Sequence, residues 1–132
     1  MTAYLIDTNI LIYYLAGALV PEEKPTIDTI LQESFNISII TRIELLGWKG
    51  HTPEGLVKAG QLLDCARCLP LTDTLAEKTI DIRRYASISL PDAVIAASAQ
   101  SLDAILVTRN EKDFVNVNGL RIYNPFRQTD EI

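Results

Sequence analysis

Two short segments near opposite ends of the chain are apolar throughout, and they constrain the fold more than any other feature. They are "AYLI" at residues 3–6 and "AILV" at residues 104–107. A strand with one solvated face alternates polar and apolar residues, whereas a strand that is buried on both faces does not. Segments with helical spacing separate the strand-like segments, as in parallel sheets. The sequence therefore predicts an α/β protein with three layers, α/β/α, in which a short parallel sheet is flanked by helices.

The same pattern places the elements along the chain. Strands are predicted at residues 3–7, 35–40, 69–72, 104–108 and 119–125, and helices at residues 8–19, 25–34, 41–50, 53–68, 73–88 and 89–103, with a turn at 110–114. Thr8 or Asn9 can cap the first helix, and Gly50 is expected to end the third. The length of 132 residues, without repeats or linkers, predicts one domain spanning residues 1–132.

Hydropathy and charge limit where the protein works and what it binds. The longest uncharged apolar-rich stretch, residues 10–20, is too short to cross a bilayer, and Asp7 interrupts any signal peptide. We therefore expect a cytoplasmic protein without a membrane partner. Seventeen acidic against twelve basic residues give a net charge of −5, which is unlike a general polyanion binder. A local basic patch or bound cations can still support contact with nucleic acid.

The two cysteines do not indicate a metal or redox site. Cys65 and Cys68 stand three residues apart near the end of a predicted helix, so we expect buried or half-buried structural thiols. A zinc site would need two more ligands, and His51, the only histidine, lies in a loop flanked by glycine and proline.

Polar side chains follow several predicted strands at the point where the strand ends or the next helix begins. Asp7 follows the first strand, and Glu44 lies in the first turn of the helix after the second. Asp92 lies in the first turn of the last helix, and Asn110 and Asp113 follow the fourth strand. Because ligands of parallel sheets bind beyond the carboxyl ends of the strands, we expect these side chains to converge.

Each acid also has a purely structural interpretation. Asp7 can be an N-cap, Asp92 a first-turn acid that favours the helix dipole, and Asp113 a turn residue. Glu44 can complete a capping box with Thr41. Only their coincidence indicates function, because converging carboxylates repel one another unless a cation neutralises them. Oxygen ligands alone favour Mg²⁺ or Mn²⁺, which can activate water for attack on a phosphodiester.

Four segments in order resemble one known family. "YLIDTNILI", "SIITRIELLG", "SLPDAVIAASA" and "ILVTRNEKDF" are similar to the motifs of PIN domains, and most closely to the VapC-type toxins of bacterial and archaeal toxin–antitoxin pairs. The resemblance covers the chain from Tyr4 to about Pro125. It implies a compact α/β/α fold and a ribonuclease, specifically an endoribonuclease, that depends on Mg²⁺ or Mn²⁺.

The resemblance also assigns roles by matching motif. It makes Asp7, Glu44 and Asp92 the catalytic metal ligands, with Thr8 and Asn9 supporting the turn at Asp7. Further residues of the site are Asn110, which stands where many relatives carry a fourth acid, its less certain substitute Asp113, and Thr108 and Arg109 at the border. Asparagine at position 110 leaves open whether one or two metal ions bind.

Partners follow from the same resemblance: an RNA substrate, an antitoxin protein that occludes the groove, and a second copy in a homodimer. Candidate RNA contacts are Arg42, Lys49, Arg83, Arg84 and Arg109, although Arg83 and Arg84 can equally form a solvated helix face. For Tyr13, Tyr14 and Trp48, on helices beside the expected groove, core packing is the default interpretation.

Two other functions remain open from the sequence. In a phosphatase-like hydrolase Asp7 would be the nucleophile, but that chemistry needs a second acid where Asn9 stands and a lysine at the phosphate. A PIN-fold binding module with weak or lost catalysis is the second, and Asn110 keeps it open. A dinucleotide-binding fold is disfavoured because no glycine-rich turn follows the first strand.

Overall fold

The computed structural model describes residues 2–126, in which a five-stranded parallel sheet lies between two layers of helices, so the predicted α/β/α fold is confirmed. The strands are β1 (Ala3–Ile6), β2 (Asn36–Ser38), β3 (Arg67–Leu69), β4 (Ala104–Val107) and β5 (Ile122–Tyr123). The helices are α1 (Thr8–Leu15), α2 (Lys24–Glu33), α3 (Ile39–Leu46), α4 (Pro53–Leu63), α5 (Asp73–Tyr85), α6 (Leu90–Ser101) and α7 (Glu111–Phe114).

The strand order β3-β2-β1-β4-β5 places a topological switch point at the centre of the sheet. The chain runs outward from β1 through β2 to β3, then returns to build β4 on the other side of β1. In the register of this pair, Ile6 lies opposite Val107. The residues that follow, Asp7 and Thr108, therefore leave adjacent strands at the position where ligands of such sheets bind.

Helices on both faces explain why the central strands lack polar alternation. Leu5 and Leu106 pack with Ile95 of α6 on one face, whereas Ile6 and Val107 pack with residues of α1 to α4 on the other. All five side chains are buried. A polar side chain at any of these strand positions would be buried and would lose its hydration, whichever face of the sheet it lay on. The sequences of these strands are therefore apolar throughout.

Helix α6 is the most deeply buried helix of the described region, since residues 93–99 are all buried. Ala96 faces the sheet, and Ala97 faces α5. Short side chains on both sides allow the sheet and α5 to approach this helix closely. Ser89 caps its N-terminus, where its hydroxyl accepts a hydrogen bond of 3.3 Å from the Asp92 amide. The helix thereby holds Asp92 in a fixed first turn.

Several predicted boundaries are wrong. Helix α1 ends at Leu15, four residues before the predicted end, and Gly17 follows with a φ of +68° that favours glycine. Asp7, not Thr8 or Asn9, is the N-cap of α1. The Asp7 carboxylate therefore caps the helix and also lies at the edge of the sheet.

Helix α3 begins earlier than predicted, which changes the setting of Glu44. The Ser38 hydroxyl accepts a hydrogen bond from the Ile40 amide and caps a helix that begins at Ile39, so the prediction of strand through residue 40 is wrong. Glu44 consequently lies in the second turn. Thr41 is a buried residue inside the helix, which contradicts the capping-box interpretation.

The expectation for the cysteines is also wrong in part. Helix α4 ends at Leu63 and β3 spans Arg67–Leu69, so Cys68 lies in a strand rather than on a helix with Cys65. Cys68 is half-buried, whereas Cys65 is exposed.

Three further boundaries differ from the prediction. Helix α3 ends before Gly47, not at Gly50, and α5 ends at Tyr85. The short helix α7 replaces the predicted turn at 110–114.

Within residues 2–126, no helix combines the length and apolar character that a membrane crossing requires.

We expect Leu106→Ala to lower the free energy of unfolding by about 2–5 kcal/mol, because it leaves a cavity between β4 and α6. Urea unfolding followed by circular dichroism measures the change. Leu71→Ala, at an exposed position after β3, is the matched control and should cost much less. Equal losses for both variants would contradict the assignment of Leu106 to the core.

Candidate functional site

Asp7 is a buried carboxylate at the switch point, and hydrogen bonds fix both of its oxygens. Oδ1 accepts a bond of 2.8 Å from the Thr8 amide, and Oδ2 accepts bonds from Asn9 Nδ2 at 2.8 Å and Thr108 Oγ1 at 2.7 Å. The residue is 4% exposed. The Thr108 bond joins residues that are 101 positions apart in the sequence. It links the residues that follow the paired strands β1 and β4 at the edge of the sheet.

Burial raises the pKa of Asp7 from 3.8 to about 6. The hydrogen bonds from Thr108 and the Thr8 amide lower the pKa, while the nearby charge of Asp92 raises it further. The desolvation penalty exceeds the gain from these donors. A bound cation would reverse this balance, because it favours the ionised carboxylate.

A hydroxyl pair connects Glu44 to the start of α1. Thr8 Oγ1 donates to Glu44 Oε1 at 2.6 Å and lies 3.0 Å from the hydroxyl of Thr41. Thr41 and Glu44 are three residues apart on α3 and so share a helix face. The carboxylate of Glu44 thus contacts Thr8, the residue that follows Asp7, although Glu44 itself is exposed.

Asp92 is half-buried in the first turn of α6, and the charges of other acids affect its pKa. Burial raises its pKa, the bond with Ser89 lowers it, and the charges of Asp113 and Glu44 raise it. These acids therefore lie within electrostatic reach of one another although they come from three different helices. Asp113 itself is exposed on α7.

The loop after β4 is tied to the same network. Thr108 is fully buried, and its hydroxyl oxygen accepts a bond of 3.0 Å from the Asn110 amide while it donates to Asp7. The Arg109 amide donates to Asn9 Oδ1 at 3.0 Å. Two loops from neighbouring strands are therefore locked together by polar side chains, with Asp7 between them.

These side chains open onto one groove of about 790 Å³. Its lining includes six of the predicted site residues, Asp7, Thr8, Asn9, Glu44, Asp92 and Asn110. Its other lining residues are mostly apolar, with two exceptions, Lys58 and His51. Residues from separate segments therefore share one groove, whereas the predicted site residues Thr108, Arg109 and Asp113 lie outside its lining.

The donor set of the groove fits a hard divalent cation. Its candidate ligands are carboxylate and amide oxygens, which Mg²⁺ and Mn²⁺ prefer, and such ions keep several water ligands. Within residues 2–126, no three His, Cys, Asp or Glu side chains lie close enough together to hold an ion unaided. A cation in this groove would therefore need water molecules or further oxygen atoms in its coordination, beyond what these side chains supply as placed.

Arg109 packs against two aromatic rings, Tyr13 and Phe126, whose centres are 4.9 Å apart. Its guanidinium lies 4.9 Å from the ring centre of Tyr13 and 4.8 Å from that of Phe126, and it donates to the Tyr13 hydroxyl at 2.5 Å. Cation–π contacts of this kind hold the side chain in place. We name this arrangement the Arg109 clamp. It fixes the loop that contributes Thr108 and Asn110.

None of the residues predicted to contact RNA belongs to the lining of the groove: Arg42, Lys49, Arg83, Arg84 and Arg109. Arg42 is exposed on α3. Arg83 donates to the carbonyl of Ile88 at 3.4 Å, and Arg84 lies 5.7 Å from the ring centre of Tyr85. Their role in RNA binding stays a prediction.

Sequence reasoning missed several residues of the groove. Thr41 could have been found from its spacing of three from Glu44, had the start of α3 been placed correctly. Lys58 and His51 carry no local signal, because only the fold brings α4 and its preceding loop to the groove. Trp48 was expected to pack in the core, and this is wrong, since it is 61% exposed.

Comparison with known proteins places the chain in a family. The PIN domain family matches residues 4–120. No curated protein sequence matches significantly. Among solved structures, a toxin–antitoxin complex from Klebsiella pneumoniae contains a chain with 28% identity and a TM-score of 0.74, covering 96% of this chain and 100% of its own.

Two more structures are similar over nearly their full length. DNA-bound VapBC from Salmonella typhimurium gives 26% identity and a TM-score of 0.80, with 95% of this chain and 99% of that chain covered. FitAcB from Neisseria gonorrhoeae gives 25% identity and a TM-score of 0.76, again with 95% and 99% covered.

The chain belongs to the PIN domain family, a family of nucleases. Within that family its similarity is to chains of VapBC-type toxin–antitoxin complexes, so the predicted resemblance to VapC-type PIN toxins is confirmed.

We expect metal-free protein to lose stability as the pH rises from about 4 to 7, because folded Asp7 holds its proton more tightly than unfolded Asp7. Below both pKa values the group is neutral in both states and costs nothing. Above pH 6 the buried charge costs about 3 kcal/mol, from the shift between 3.8 and about 6. Urea unfolding in EDTA at pH 4 and pH 7 measures this loss.

Asp7→Asn should remove most of that pH-dependent loss, although it replaces one of the two acceptor oxygens by an amide donor, so some of the donors from Thr8, Asn9 and Thr108 lose their acceptor at every pH. The matched control, Asp64→Asn at an exposed position, should keep the pH dependence of the wild type. If Asp7→Asn keeps it too, burial of Asp7 is not its cause.

Proposed function

We propose that this protein is an endoribonuclease that hydrolyses RNA phosphodiester bonds with Mg²⁺ or Mn²⁺, and that it is the toxin of a toxin–antitoxin pair. The observation that carries the proposal is the shared groove into which Asp7, Glu44 and Asp92 all open, although they come from distant parts of the chain. The donor chemistry and the family membership support it.

The proposed metal ligands are Asp7, Glu44 and Asp92. A divalent cation bound there supplies a Lewis acid that offsets the charge developing on a phosphodiester and promotes ionisation of water. The chain's own residues do the rest. The hydrogen bonds to Asp7 fix both its oxygens, and the Thr8 bond orients Glu44. These bonds reduce the reorganisation that ligand binding would otherwise require.

Among the three acids, Asp92 is the proposed acceptor of a proton from the attacking water, because hydrogen bonds already occupy both oxygens of Asp7. Asp92 is half-buried in the first turn of α6, and burial raises the pKa of its carboxyl, which makes the carboxylate a stronger base. Asp92 also lies at the N-terminus of α6, where the positive end of the helix dipole favours negative charge. Asn110 contributes an amide rather than a fourth charge.

A partner protein is part of the proposal because the similar solved chains come from complexes named as toxin–antitoxin or VapBC. We propose that a cognate antitoxin covers the groove and so prevents access of RNA. A basic side chain inserted among the acids would replace the cation. A homodimer acting in the cytoplasm is proposed on the family resemblance alone.

Asp92→Asn should reduce RNA cleavage by more than about 100-fold, since it removes a metal ligand rather than a group that merely supports one. Cleavage of a mixed RNA pool is measured with Mg²⁺, with Mn²⁺ and with excess EDTA, which should abolish it. The variant should fold normally, since it removes an acid that other acids repel.

The matched control for cleavage is Asp81→Asn, at an exposed position on α5, and it should cleave like the wild type. Cleavage that persists in EDTA and in Asp92→Asn would overturn the metal mechanism. A wild type that never cleaves RNA but binds its antitoxin tightly would instead identify a binding module, the alternative that Asn110 leaves open.

Asn110→Asp should tighten Mn²⁺ binding by about tenfold, because a further carboxylate at the groove raises the negative charge around the ion. Isothermal titration calorimetry measures the affinity at constant pH. Asn116→Asp, the same substitution in an exposed loop outside the groove lining, should leave the affinity unchanged. Equal effects would mean that net charge, rather than a ligand at position 110, determines binding.

A further inference from the structure

Trp48 is the only tryptophan of the chain, and its side chain is 61% exposed. It follows α3, which ends at Leu46, and Gly47 keeps a helical conformation with φ −84° and ψ −1°. Trp48 therefore lies about one helical turn, ~6 Å, beyond Glu44. An exposed indole costs hydration free energy, so its position calls for a physical explanation.

Two neighbours hold this exposed ring in place. A Cβ atom at Gly50 would lie 2.3 Å from the Cζ2 atom of Trp48, so the benzene part of the indole packs directly on the backbone of that glycine. The His51 ring stands nearly perpendicular to the indole, with 5.0 Å between ring centres. The bond of 2.7 Å between His51 Nε2 and the Leu45 carbonyl fixes the histidine in turn. The indole is therefore both exposed and positioned.

The indole lines the same groove as the acids. Trp48, His51 and Lys58 belong to the lining that also contains Asp7, Glu44 and Asp92. The acids that fit a cation thus share one groove with an aromatic ring, a positive charge and apolar side chains such as Ile12 and Leu15. A nucleic acid strand presents matching groups, since phosphates alternate with flat aromatic bases.

We propose that Trp48 is a stacking platform for an RNA base next to the phosphate held at the acids, with Lys58 contacting the strand's phosphates. This subsite rests on the proposed function, because the acids and their cation define where the strand lies. Stacking on an aromatic side chain tolerates any base, since every base has a flat face. The platform therefore provides affinity for single-stranded RNA without selecting a sequence.

An RNA base accounts for both the braced ring and Lys58, and its flat face can also lie on the apolar side chains of the lining, such as Ile12 and Leu15. A ring braced by Gly50 and His51 loses little conformational freedom on stacking, which is what a base platform needs. Lys58 would be an unfavourable neighbour for a purely apolar partner, whereas it complements a phosphate.

The single tryptophan makes the test direct. Asp92→Asn protein, which should bind without cleaving, is titrated with a mixed-sequence single-stranded RNA hexamer while tryptophan fluorescence is recorded. Saturable quenching is expected, and an abasic oligonucleotide of the same length should quench much less. Equal quenching by both oligonucleotides would overturn the proposal, as would a spectrum that RNA leaves unchanged.

Binding of a fluorescein-labelled hexamer, followed by anisotropy, separates stacking from folding. Trp48→Ala in the same background should weaken binding by about tenfold or more, and Trp48→Phe by less, because a smaller ring still stacks. Gly50→Ala should also weaken binding, since the new methyl group displaces the indole without removing it. Tyr85→Ala is the matched control, because Tyr85 is 81% exposed but lies outside the groove lining, and it should bind like the parent.

The outcomes for the subsite and for catalysis are distinguishable. If wild-type protein cleaves RNA but Trp48→Ala leaves both KM and hexamer binding unchanged, the subsite is wrong and the proposed nuclease function stands. If RNA quenches Trp48 and Trp48→Ala weakens binding, yet the wild type cleaves no RNA with either metal, the subsite stands and the catalytic proposal falls. A blue shift produced only by a protein partner, with RNA inert, would overturn the subsite in favour of a protein contact.

Discussion

The hydrogen bond that Thr108 donates to Asp7 links the loop after β4 to the turn after β1, and the geometry of the site depends on this link. A carboxylate buried beside the core loses most of its hydration, and its raised pKa reports that loss. Three donors offset part of the penalty, and they come from the turn after β1 and from the loop after β4. The polar network and the order of the sheet are therefore one arrangement, because neither loop could hold Asp7 alone.

Helices, rather than long loops, hold the other two acids of the site in place. Helix α3 brings Glu44 to Thr8, and α6 brings Asp92, and both helices are capped by serine side chains. Alanines on α6 let it pack tightly between the sheet and α5, which fixes the height of its first turn above the strands. Acids that repel one another are thus kept close by packing, and the free energy of core burial compensates for their repulsion.

Much of the fold could be predicted from the sequence, because strands that are buried on both faces appear in it as continuous apolar runs. The apolar runs at β1 and β4 required helices on both faces, and Asp7 stood at the carboxyl end of one of them. Glu44 was assigned to the correct group but to the wrong helical turn, since Ser38 can equally end a strand or begin a helix. Trp48 was placed beside the expected groove but assigned to the core by default, whereas Lys58 was beyond sequence reasoning, because only tertiary packing brings it to the acids.

The Arg109 clamp has a consequence for the carboxyl-terminal end of the described region. Chain ends are usually the part of a domain that tolerates change best. Here Phe126 provides one of the two rings that pack against Arg109, and its amide donates to Asn124, whose own amide group contacts the Arg109 carbonyl. Removing Phe126 would thus act on the loop of Thr108 from more than a dozen residues away, so this residue is as much a component of the site's architecture as the strands are.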